Sequence, residues 1–193
     1  MRNVIVGWLG RVFLALQPRH SVRGVNVVLS DPTVDRKECI DTIRAALDLL
    51  HDVDPRGLGV VSRHVRHILV WPGSYTAYDK WGGVHLAGRH VIGVPPTLLA
   101  SALVHEATHL RIARRGVPYI PALRSRIEAA CVRAQASFLR KALPEGPQWA
   151  DQVEAGLREP WWTESDRRAR VQQSLQEAGL PPWIEPLLFR PHQ

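Results

Sequence analysis

Val4, Ile5, Trp8, Leu9, Val12, Phe13 and Leu16 recur at three- and four-residue intervals, the pattern of a single apolar helical stripe. The first sixteen residues are therefore expected to form an amphipathic helix that docks on a core. Arg11 interrupts the stripe and no convincing small-residue cleavage site follows, which argues against a signal peptide. Val25 to Leu29 reads as a short strand closed by Asp31 and Pro32. From about Asp35 the period changes again: Ile40, Ile43, Leu47 and Leu50 give a helix an apolar face, and Asp35 with Glu38 resembles a capping box. This helix should end between His51 and Pro55. The stretch from Gly57 to Val94 is expected to be strand-rich, with β-branched runs at Val65 to Trp71 and Gly83 to Val94 and a turn near Gly88.

Pro95 and Pro96 stop the last of these strands, and Thr97 is the expected N-cap of a helix running to about Arg115. Leu98, Leu99, Ala100, Ala102, Leu103 and Val104 make its first turns apolar nearly all round, the mark of a helix that passes through the core. Gly116 and Pro118 end it. A further helix is expected from about Ala122 to Leu143, and a short one from about Glu164 to Ala178 in the proline-rich last fifty residues. Without a repeat or a linker, residues 1–193 are expected to form a single α+β domain, a size that one core can serve.

Composition narrows the class. Charged residues are 22% and hydrophobic residues 45%, so intrinsic disorder is excluded. No apolar run approaches the roughly 18 to 20 residues needed to span a bilayer. Cys39 and Cys131 are too few for a disulfide framework and fit a reducing compartment, so a cytoplasmic location is expected. The net charge of +7 is local: eight basic residues from Arg111 to Lys141 face a single acid, Glu128, and the rest of the chain is balanced. On a helical wheel Arg111, Arg114 and Arg115 fall away from His105 and His109, whereas Arg126, Arg133 and Arg140 form a stripe of their own. Such faces are ordinarily solvated; nucleic acid or another anionic partner is the alternative.

The chemistry sits on the core helix. His105-Glu106-Ala107-Thr108-His109 places two imidazoles at i and i+4, where their nitrogens can converge on one metal ion, with Glu106 beside them. A third ligand must come from elsewhere, because the only later histidine is His192 at the chain end. Glu128 is the only carboxylate in the arginine-rich stretch that follows, on the next helix. It could instead pair with Arg124, one turn earlier. Cys131 could approach a metal as a soft ligand, although a small buried core residue is the ordinary reading of such a cysteine.

With these residues the chain resembles the zincin metallopeptidases, in particular the gluzincin pattern in which HExxH on one helix is completed by a glutamate on the next. Eighteen residues separate His109 from Glu128, a spacing like that of the aminopeptidase branch and close to that of the thermolysin branch. The resemblance spans roughly residues 84 to 143. It implies zinc bound by His105, His109 and Glu128, Glu106 as general base, and a small mixed or antiparallel sheet packed on the active-site helix. It also implies an edge strand that aligns an extended peptide, for which Gly83 to Val94 is the candidate. Related enzymes carry an aspartate four residues after the glutamate ligand to orient a histidine; here that position is Val132, so the orienting group must come from elsewhere. Tyr75, Tyr78, Tyr119, His85 and His90 are the candidates for stabilising an oxyanion. The expected activity is zinc-dependent hydrolysis of peptide bonds; a non-catalytic zinc protein and a basic, nucleic-acid-binding module are the alternatives.

Overall fold

A computed structural model describes residues 18–74, 76–79, 82–146, 148–158 and 164–181. The expected N-terminal helix, Tyr75, Trp161 and Trp162 lie outside the described residues. A five-stranded sheet carries the fold: β1 (Arg19–Val22), β2 (Val25–Leu29), β3 (His67–Trp71), β4 (Ala77–Tyr78) and β5 (Gly83–Ala87), in the spatial order β1-β2-β3-β5-β4. The central pairs β2/β3 and β3/β5 are parallel and the outer pairs are antiparallel. The sheet is thus mixed. The first hairpin turns on Arg23 and Gly24, with φ of 49° and 79°; a left-handed arginine is uncommon, and Gly24 takes its half of the turn without strain.

Six helices complete the described chain: α1 (Arg36–Val53), α2 (Pro55–His64), α3 (Pro96–Arg114), α4 (Pro121–Ala142), α5 (Gln148–Ala155) and α6 (Glu164–Glu177). Asp35 caps α1 as expected, accepting from the backbone N–H of Glu38 at 2.8 Å. The parallel β2-to-β3 crossover contains two helices, because α2 occupies residues expected to be strand-rich. Pro55 at the first turn and Arg114, which donates to the carbonyls of Arg63 and His64, secure its two ends.

The two faces of the sheet do different work. Val27, Ile68, Val70, Val84 and Leu86 pack against Ile43, Leu47 and Leu50 of α1 and Leu99 and Leu103 of α3. On the opposite face, Val28, Leu69 and Trp71 meet Val171 and Leu175 of α6. The alternation of side chains along each strand sorts the residues in this way. Helix α3 lies inside the core, with every residue from Leu103 to Leu110 buried. Its N-cap is Pro95 rather than Thr97, since Pro96 takes the first helical position and needs no donor there. Gly116, at φ 77°, ends it, its N–H bonded to the Ala113 carbonyl at 2.9 Å.

The strand expected over residues 83–94 stops at Ala87 and gives way to a 3-10 turn at Gly88–His90. It is not the edge either. β5 lies between β3 and β4, and the short β4 forms the edge beside the core helix. No described helix is long and apolar enough to cross a membrane.

Candidate metal centre

Because α3 runs through the core and α4 packs along it, residues from the two helices meet away from water. His105, Glu106, His109 and Glu128 are only 8%, 8%, 4% and 4% exposed. Unpaired, such a group of ionisable side chains would cost several kcal/mol to bury. The Nε2 atoms of His105 and His109 lie 3.1 Å apart, and Glu128 Oε2 is 3.6 Å from the first and 3.5 Å from the second. Two bonds of about 2.05 Å at a tetrahedral angle set ligand atoms about 3.3 Å apart. The three observed separations bracket that value, and two of them are too long for hydrogen bonds. Glu128 Oε2 is in fact buried without a hydrogen-bond partner.

Local contacts orient each group. His105 Nδ1 is 3.1 Å from Gln135 Oε1, while the Gln135 amide donates to Ser101 Oγ at 3.2 Å and the Ser101 hydroxyl donates to the Leu98 carbonyl. This chain of donors leaves Gln135 Oε1 as an acceptor, so His105 Nδ1 carries the proton and Nε2 presents its lone pair to the centre. Gln135 thus fills the orienting role that Val132 cannot. It sits two turns beyond Glu128 on the same face of α4, a neutral amide in place of the expected acid. Val132 is itself buried.

His109 is held differently. Its Nδ1 is buried with no hydrogen-bond partner, and aromatic rings fix the imidazole instead: Tyr78 stacks on it at 4.9 Å between centroids and 20° between planes, and Tyr119 meets it edge-on at 5.7 Å. The Tyr119 hydroxyl makes a short hydrogen bond to Glu128 Oε1. Arg124, also buried, lies over the Tyr119 ring at 5.3 Å. Two of the five oxyanion candidates, Tyr78 and Tyr119, therefore line the centre. His85 lies on the opposite face of the sheet, and His90 is exposed on the 3-10 turn.

The electrostatics favour a cation. Burial works against a charged His105, but the Glu128 carboxylate beside it and the charge of Glu106 outweigh it and raise its proton affinity. Burial likewise opposes ionisation of Glu128, yet the neighbouring imidazoles of His105 and His109 and the Tyr119 hydroxyl hold its carboxyl well below the usual range. Glu106 Oε2 is buried and has no hydrogen-bond partner among the described residues. One more donor is near: Cys131 Sγ and one ring nitrogen each of His105 and His109 all lie within 4.8 Å of one another. Burial first, and then the charges of Glu128 and Glu106, push the Cys131 thiol far up, so without a metal it stays protonated.

No known family, curated protein or solved structure matches the chain. The chemistry of the centre is therefore read from its own donor set. Two neutral imidazoles and a carboxylate at tetrahedral separations suit Zn²⁺ or a similar divalent transition metal. The unpaired oxygens of Glu106 and Glu128 fit such a cation better than they fit a closed hydrogen-bond network.

Proposed function

We propose that the chain is a zinc-dependent peptidase of the zincin type, with His105, His109 and Glu128 as metal ligands. The observation that carries this reading is the unpartnered, buried carboxylate oxygen of Glu106 beside three convergent ligand atoms. A structural site has no use for a fourth ionisable group at such a burial cost; a hydrolytic one needs it as a base.

The chemistry zinc supplies when bound is Lewis acidity, which acidifies water and polarises a carbonyl. Glu106 takes a proton as water attacks the peptide carbonyl carbon, then returns it to the amine nitrogen as the carbon–nitrogen bond breaks. Gln135 and the two tyrosines hold the ligands in place while this happens. The short antiparallel β4 at the sheet edge, beside His109, is suited to aligning an extended substrate backbone. Val117 and Ile120, exposed on either side of Tyr119, offer apolar contact for substrate side chains.

Cys131 favours a second reading, a closed zinc site with three ligands from the helices and a thiolate fourth. The basic-module reading has less support, because Arg114, Arg140 and Lys141 are engaged within the chain. Treatment with a chelator should abolish hydrolysis of an unfolded protein substrate, and one equivalent of zinc should restore it. Zinc-loaded protein that cleaves no such substrate contradicts the peptidase reading. Cobalt-substituted protein showing a thiolate charge-transfer band would assign Cys131 as a ligand and favour the closed site.

A further inference from the structure

A second cluster of metal-binding side chains lies across the sheet from the first. His67 on β3 and His85 on β5 occupy the face that carries Val28, Leu69 and Trp71, as the strand register dictates. Asp79 follows the edge strand directly. It lies opposite Gly83, with the Asp79 N–H bonded to the Gly83 carbonyl at 2.9 Å and the Gly83 N–H to Asp79 Oδ1 at 2.8 Å. The other carboxylate oxygen, Oδ2, stands 3.3 Å from His67 Nε2 and 3.0 Å from His85 Nε2. Asp79 is 1% exposed and His85 2%.

A plain hydrogen-bond network does not satisfy this arrangement. His67 Nε2 is buried and makes no hydrogen bond, although it points to the same oxygen that His85 approaches. Asp79 Oδ2 is hydrogen-bonded to His85 and not to His67, whereas a shared cation would take one lone pair from each ring together with the carboxylate. The separations again fall near the roughly 3.3 Å edge of a tetrahedral zinc site. The space is also kept clear by sequence: a Cβ at Gly83 would stand 2.2 Å from His67 Nε2 and 2.3 Å from Asp79 Oδ2. Glycine is the only residue that admits this cluster.

We infer that His67, Asp79 and His85 form a second binding site for a divalent transition metal of the zinc class. Its place in the fold gives it a role. Tyr78 and Asp79 are neighbours whose side chains leave β4 on opposite faces, so a metal that fixes Asp79 also fixes the tyrosine that stacks on His109. The second site is thus structural and supports the first by pinning its edge strand.

This inference does not depend on the peptidase reading, and the test keeps them apart. The full chain with both His105→Ala and His109→Ala is stripped of metal and titrated with Co²⁺ at tens of micromolar. It should bind about one equivalent, with the intense visible bands of a low-coordinate site, and its melting temperature should rise with Zn²⁺ by several degrees. Adding His67→Gln, at the most exposed of the three ligands, should abolish both effects. No stoichiometric binding, or binding indifferent to His67→Gln, overturns the inference. Should the double variant fail to fold, wild type and His67→Gln are compared directly: about two equivalents of zinc against about one supports the site, and equal content refutes it.

Discussion

Gln135 shows how a side chain far in sequence from the motif decides what the motif can do. It fixes the tautomer of His105 through a chain ending on a backbone carbonyl, and so leaves a lone pair rather than a proton on Nε2. Outer partners of this kind alter metal affinity by about 10- to 100-fold. Gln135→Leu should therefore weaken zinc binding by that factor, measured by competition with a chromophoric chelator, while the fold stays intact. Unchanged affinity would show that packing alone orients His105. The convergence of His105, His109 and Glu128 is legible in the sequence, because i, i+4 spacing on a helix and a lone acid on the next helix constrain geometry strongly. Gln135 and the Tyr119–Glu128 hydrogen bond are not legible there, since residues of these types serve many roles and only the packing of α4 on α3 brings them together; Tyr78 and Tyr119 are legible only as two of five oxyanion candidates.

The elements were legible where one period dominates. α1, α3, α4 and α6 fall close to their expected ranges because an apolar stripe and end signals agree. α2 was mistaken for strand-rich sequence: Gly57 and Gly59 disfavour a helix, and its Val60 and Val61 resemble a strand, yet the helix persists because Val61 is buried and Arg114 closes its end. The edge strand was misplaced for a topological reason. Nothing local in Gly83–Ala87 says that it pairs on both sides, and the two residues of β4 are too few to show a period. The close packing at Gly83 gives this level a clear prediction. Gly83→Ala forces the His67 ring and the Asp79 carboxylate apart, and should cost about 1 to 3 kcal/mol of stability. Denaturant unfolding measures it; a neutral substitution would mean that β4 is free to shift.

For the molecule as a whole, the concentrated positive charge has an internal use. Arg140 binds Asp151 and Glu154 and so docks α5 on α4, and Lys141 reaches Asp54 at the start of α2. These exposed pairs contribute little to stability, because solvent screens them. The same charge is felt by His64, whose proton affinity is lowered by burial first and then by Arg114, Arg111, Arg63 and Arg115. The unfolded chain then binds the His64 proton better than the folded one does. Its contribution to stability is complete above about pH 6.5 and is lost as the pH falls below that value. Between about pH 7.5 and 5.5 the wild type should lose stability more steeply than His64→Gln, as read by thermal unfolding at low salt. Parallel slopes would remove the arginine cluster as the cause.

All three scales meet in one arrangement: a core helix, a partner helix and a sheet edge enclosing three convergent donor side chains and the buried Glu106 carboxylate. The most direct test of what it does is the rate of zinc-dependent peptide hydrolysis by Glu106→Gln, measured beside its metal content. The variant should keep its zinc and lose about 100-fold or more of its activity, since a general base contributes at least that much. Hydrolysis at the wild-type rate, with zinc retained, would contradict the account.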